Sequence, residues 1–189
     1  SAIDEGDQAR VSAFTSASDP HELAFVGATY SKPVAAAVRA GLSLAATKTE
    51  DGMNPRSPNV GGSGVSGSLF LEKALIRRKS TGVWASANFE VRHRENEGVL
   101  GDGYVDDTRV LRVGMNALIT DARQETRFGA QSSFGLGILG ASGASADWRS
   151  RYDADGGFTK LNVSASHYHG IGENFGVLVA AQGQWTDDP

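Results

Sequence analysis

The stretch VWASANFEVRHR, Val83 to Arg94, decides the fold because its residues fall into two interleaved sets. Val83, Ala85, Ala87, Phe89 and Val91 are apolar or small. Ser86, Asn88, Glu90, Arg92 and Arg94 are polar or charged, with Trp84 the one exception among them. Only a strand separates two such sets, since successive side chains point to opposite faces. A soluble strand usually has about five or six residues. A dozen residues at about 3.3 Å each, tilted near 40°, cross roughly the 25 Å apolar band of an outer-membrane barrel.

The pattern recurs. In Arg109 to Thr120, Leu111, Val113, Met115, Ala117 and Ile119 oppose a face made largely by Arg112, Gly114, Asn116 and Thr120. In Thr126 to Leu139, Phe128, Ala130, Phe134, Leu136 and Ile138 oppose Arg127, Gly129, Gln131, Ser133 and Gly137. Leu161, Val163 and Ala165 alternate with Lys160, Asn162, Ser164 and Ser166. Phe175, Val177, Val179, Ala181 and Trp185 oppose Asn174, Gly176, Gln182 and Gln184. A lipid-facing Arg or Lys costs about 2 to 4 kcal/mol at the bilayer midplane, which assigns the charged face to an aqueous interior.

Three runs are less regular. Val38 to Thr47 alternates, but PVAAAVRAGLSLAATK also reads as an amphipathic helix behind Pro33; Gly41, Ser43, Thr47 and the neighbouring strands favour a strand. Val65 to Ile76 and Glu22 to Tyr30 have mixed faces, and Arg10 to Ser16 is a plausible first strand, giving about nine in all. Short links are expected at Ser31 to Val34, Arg77 to Gly82, Asp121 to Glu125 and Gly170 to Asn174. Long ones are expected at Glu50 to Gly62, Asn96 to Asp107 and Ala141 to Gly157. Short turns on one side and long polar loops on the other describe an antiparallel up-and-down transmembrane β-barrel with its turns in the periplasm.

Composition narrows the alternatives. The 189 residues include no cysteine, so there is no disulfide scaffold or thiolate metal site, and the net charge of -4 argues against nucleic-acid partners. No run reaches the roughly 18 to 20 apolar residues of a membrane helix, and the start lacks the marks of a signal peptide. The expected class is all-β, with residues 1–189 forming part of one barrel. Both ends read as cut, because neither the first strand nor the last has an edge partner in the sequence.

GDQARVSAFTS, HELAFVGATYSKP with its Tyr-Ser-x-Pro turn, and DGGFTKLNVSASHYHGIGENFGVLVAAQGQW resemble the barrel of two-partner secretion transporters, the haemolysin and haemagglutinin activation/secretion proteins of Gram-negative bacteria. The resemblance spans nearly the whole chain and is loosest in the long loops. It implies a sixteen-stranded barrel, of which these strands are the third through eleventh. It also implies two POTRA modules, which this sequence does not contain, and an inward-folded Val-Arg-Gly-Tyr/Phe loop just beyond Pro189. The implied partners are a secreted exoprotein and outer-membrane lipid, and the implied location is the outer membrane of a Gram-negative bacterium.

Strand phase assigns the pore lining to Arg39, Glu72, Asn88, Glu90, Arg92, Arg94, Arg112, Asn116, Arg127, Gln131, Lys160, Asn162, Gln182 and Gln184. Tyr30, Phe128, Phe175 and Trp185 are the expected membrane-interface aromatics. The lining charges have a structural role, as cross-strand ion pairs, and a functional one, as a hydrated wall along which an extended polypeptide slides.

Other motifs read as bland. Gly135, Gly137 and Gly140 spell G-x-G-x-x-G with Asp155 downstream, but they close an alternating strand and ASGASADWRS is no convincing helix. His167 and His169, with His93 and His21 the other histidines, fit a polar rim better than a metal site. DADGG at Asp153 to Gly157 opens like a calcium loop but has Ser164 where the closing Glu belongs. No nucleophile elbow is present. The expectation is therefore a transporter, not an enzyme, with no cofactor. A general solute porin is the alternative that the barrel pattern alone supports, and a non-transport β-rich surface protein is the third reading.

Overall fold

Side chains that alternate along every strand demand a sheet with two unlike faces, and the computed structural model has one. It describes residues 6–16, 23–50, 61–96, 103–141 and 157–187. Nine strands follow one another: β1 (Gln8–Thr15), β2 (Leu23–Ala35), β3 (Val38–Thr49), β4 (Gly62–Arg77), β5 (Thr81–Asn96), β6 (Tyr104–Asp121), β7 (Gln124–Gly135), β8 (Thr159–Ile171) and β9 (Phe175–Thr186). Each pairs antiparallel with the next, in the order β1 through β9, and the two ends of the sheet do not pair with each other. The architecture is an up-and-down antiparallel sheet, a partial β-barrel that is not closed.

Val34 to Lys48 is no helix. β2 runs past the expected turn at Ser31 to Val34 and reverses at residues 36–37. Ser31 pairs with Gly41 and Pro33 with Arg39. Arg39 holds this register by donating Nη1 to Ser31 Oγ at 3.2 Å and to the Gly6 carbonyl at 3.1 Å. Pro33 sits where the register slips beside Val34, one of the places in a sheet that tolerates a missing N–H.

The mixed faces of Val65 to Ile76 have a comparable cause. Val65, Gly67, Leu69 and Leu71 share one face with Phe89 and Ala87, while Ser66, Ser68, Phe70 and Glu72 share the other with Asn88 and Glu90. A register shift between Ala74 and Ile76 then leaves Leu75 extra and inverts the phase. In Leu23 to Tyr30 it is Leu23 and Phe25 that blur the pattern, because both fall on the polar face, where Phe25 stacks on Phe14 with ring centroids 4.8 Å apart.

β7 ends at Gly135, earlier than the alternation through Leu136 and Ile138 suggests. Leu139 has φ 53° and Gly140 φ 75°, and the Ala141 N–H closes a turn on the Ile138 carbonyl at 3.1 Å. β6 conversely begins at Tyr104 rather than Arg109, which shortens the long link before it. Links at 36–37, 78–80, 122–123 and 172–174 are short; the numbering leaves longer intervals at 16–22, 50–61, 97–103 and 136–158, and the strand ends that flank these are at the opposite end of the sheet.

Burial is inverted relative to a water-soluble domain. Val110 is the only buried hydrophobic residue among those described, and the buried polar residues are Ser31, Asn96 and Ser133. Register places all four on the polar face. That face is therefore concave. The convex face exposes Val11, Val26, Leu44, Val65, Leu69, Leu71, Val113, Met115, Val177 and Val179, an apolar surface too continuous to be solvated by water.

Candidate functional site

The hydrogen-bonded register carries polar side chains across the concave face in rows. Arg39 stands opposite Glu72, Glu72 opposite Ser86, Ser86 opposite Gly114, Gly114 opposite Gln131, Gln131 opposite Asn162 and Asn162 opposite Gln184. A neighbouring row runs through Asn88, Arg112, Ser133 and Lys160. Another runs through Asn116, Gly129, Ser164 and Gln182. Arg92 and Arg94 lie opposite Thr108 and Asp106, and Arg127 opposite Ser166. All fourteen residues assigned to a lining by phase thus share one face.

Two kinds of surface divide this face. On β5 and β6 the charges interlock: Glu90 accepts from Arg92 Nη2 at 2.9 Å and from Arg112 Nη1 at 3.2 Å. Arg112 also reaches Asn88 Oδ1 at 3.5 Å. The Glu90 side chain is 19% exposed against 52% for Arg92. One mostly covered carboxylate is therefore shared by two guanidinium groups, and the more exposed of these keeps donors for water. Arg94 donates Nε to Asn96 Oδ1 at 3.2 Å. From β7 to β9 the middle of the wall is uncharged. An open hollow of about 490 Å³ there is walled by Ser86, Asn116, Gln131, Asn162, Gln182 and Gln184 among others. Nearer the short turns, Arg127 pairs with Glu125 at 2.7 Å.

Sequence phase missed Tyr104, Asp106 and Thr108, which extend this face on β6. Their alternation was obscured because the intervening Asp107 and Arg109, on the convex face, are themselves charged. Arg109 is tolerated there because its guanidinium is satisfied. It donates to the carbonyls of Arg92 (3.3 Å), Thr108 (2.9 Å) and Leu139 (3.1 Å) and lies 3.6 Å from Asp107. Charge on the convex face stays near the strand ends: β5 reads Val83, Ala85, Ala87, Phe89, Val91 before His93 and Glu95.

The candidate metal ligands do not converge. His93 lies at the long-loop end, 3.1 Å from Asp107 Oδ1 and 3.2 Å from Glu95 Oε1. His167 and His169 lie on the convex face at the short-turn end, rings 6.4 Å apart, with His167 Nδ1 2.8 Å from Thr126 Oγ1. No group of three or more potential ligands occurs among the described residues. Gly135 closes β7, and no helix follows it among the described residues. Asp153 to Asp155 lie outside the described residues. Tyr30, Phe128, Phe175 and Trp185 all fall on the convex face. Tyr30 also donates to Asp7 Oδ2 at 2.6 Å.

No family model matches the chain, and no curated protein matches it in sequence. Among solved structures it is similar to CdiB from Escherichia coli, with a TM-score of 0.69 and 18% identity over 88% of this chain. The chain spans 31% of the length of CdiB. CdiB is a two-partner secretion transporter, so the resemblance seen in the sequence is matched by the fold.

Proposed function

We propose that this chain is a wall segment of a Gram-negative outer-membrane transporter that passes an unfolded exoprotein of the haemolysin, haemagglutinin or adhesin type to the cell surface by two-partner secretion. The observation that carries the reading is the union of a two-faced, nine-stranded meander with the fold similarity to CdiB. The apolar convex face supplies the lipid contact. Its uninterrupted part on β5, Val83 to Val91, rises roughly 20 Å along the membrane normal at about 3.3 Å per residue and 40° tilt, close to the ~25 Å band of such barrels.

The role is non-enzymatic and needs no cofactor. Arg39, Glu72, Glu90, Arg92, Arg94, Arg112, Arg127 and Lys160, with the amides of Asn88, Asn116, Gln131, Asn162, Gln182 and Gln184, line the lumen. An unfolded client offers peptide groups and mixed side chains. A hydrated wall of amides and internally paired charges competes for these only weakly, so the client moves through it, whereas an apolar wall would retain it. Tyr30, Phe128, Phe175 and Trp185 sit at the bilayer boundaries, where an aromatic ring finds both apolar and polar surroundings.

The test is made with the full-length protein. Removing it should leave the exoprotein in the periplasm and restoring it should return the exoprotein to the surface. If export persists while uptake of small solutes is lost, the porin reading replaces this one.

A further inference from the structure

Four of the aromatic side chains on the concave face of the described sheet share an arrangement: atoms of each ring occupy the space over a glycine of the same face. Phe25 covers Gly27, Phe70 covers Gly41 across the β3–β4 pair, Trp84 covers Gly82, and Tyr168 covers Gly176 diagonally across β8–β9. A Cβ at Gly27 would stand 2.9 Å from Phe25 Cζ, and one at Gly41 2.6 Å from Phe70 Cε1. At Gly82 it would stand 2.7 Å from Trp84 Cζ3, and at Gly176 2.6 Å from Tyr168 Cζ. The rings occupy space that any other residue would fill. Gly82 is itself buried, although it lies at the start of a strand in an open sheet.

A ring lying on bare backbone gains dispersion contacts and shields the strand where glycine leaves it uncovered. Leaning onto the backbone at a glycine, a ring reaches less far into the lumen than one standing out from the wall. With the glycine replaced, the side chain must rotate to a rotamer that points away from the wall, because successive inward positions along a strand leave it no other space.

We propose that Gly27, Gly41, Gly82 and Gly176 are bore-setting positions: each seats an inward aromatic ring flat against the wall, keeping the lumen wide and limiting the apolar surface a passing polypeptide meets. The proposal rests on the transport reading for its biological purpose, while its geometry stands apart from what is carried.

Gly82 and Gly176 give the clearest test, since the atoms nearest an added Cβ belong only to Trp84 and Tyr168, whereas at Gly41 the Tyr30 carbonyl also lies 2.7 Å away. In the full-length protein in planar bilayers, Gly82→Ala and Gly176→Ala should each lower single-channel conductance by about 1.5-fold. Gly82→Ala combined with Trp84→Ala, and Gly176→Ala combined with Tyr168→Ala, should restore it. Unchanged conductance in the single variants, or no recovery in the double variants, overturns the proposal. If a single variant fails to reach the membrane folded, recovery of folded protein in its double variant supports the seating of the ring, and continued failure overturns it. Narrowed conductance in a protein that exports no exoprotein would leave these four positions as assigned and remove the transport reading.

Discussion

The two faces of β5 and β6 are built on the same backbone, yet they solve opposite problems. On the convex side Leu111, Val113, Met115, Ala117 and Ile119 present hydrocarbon with little to pack against. On the concave side, one residue away in each case, Arg112 and Asn116 carry charge and amide within reach of polar neighbours. On the convex side Arg109 is neutralised by the protein itself, through three carbonyls and a carboxylate. The concave side tolerates charge anywhere that a partner or water is available. In a transporter wall, as proposed, side-chain identity would matter for membrane stability on one face and for the character of the lumen on the other.

The strongest challenge to this contrast is to exchange the demands. Met115→Arg places a cation in the middle of the convex band and should cost about 2 to 4 kcal/mol, greatly reducing the heat-modifiable folded form in membranes. Asn116→Arg, the next residue, should leave that form nearly intact. Equal losses in the two variants would mean that the faces are not lipid and water.

Next in size is the carboxylate shared by two arginines. Glu90→Gln leaves Arg92 and Arg112 without their common counter-ion and should destabilise the barrel by about 1 to 2 kcal/mol, less than a buried pair would, because Arg92 is half exposed. The pore should also become more anion-selective. Arg112→Glu should lower cation rejection and disturb exoprotein secretion, and combining it with Glu90→Arg should recover much of the folded protein. Selectivity unchanged in both single variants would place these residues away from the conduction path.

Two smaller effects sharpen the picture. Single cysteines at Phe89 and Glu90 should react oppositely, the first with lipid-soluble and the second with water-soluble maleimide. At the two-residue turn, Ala37 has φ 59°, a left-handed conformation that costs an L-residue about 1 kcal/mol. Ala37→Gly should recover up to ~1 kcal/mol, read as a higher urea midpoint for unfolding from detergent or lipid.

Val83 to Val91 needed no coordinates. Residues that alternate and keep their phase reveal both the strand and its two faces, and the fourteen residues assigned to one face by phase do share the concave face. Reading failed where the backbone broke its own period. The extra residues at Val34 and Leu75 shift the phase. The alanine-rich segment after Pro33 satisfies helical as well as strand spacing, yet its glycine, serine and threonine pointed to the strand that forms. Reading also failed where a partner elsewhere in the chain makes an unfavourable residue acceptable. Arg109 on the convex face is explained only by the carbonyls brought around it, and Phe70 on the concave face only by Gly41 on the neighbouring strand.

Sequence alone determined that the chain is a sheet with one oily and one wet face, because a period of two is written into residue order and each side chain's solvent preference is its own. The tertiary structure decided which strands adjoin, where the register slips, that Glu90 serves two arginines and that four rings lie on four glycines. These are relations between residues far apart in the chain. They arise only when hydrogen bonding fixes one strand against the next, since no residue's own chemistry specifies what will stand opposite it.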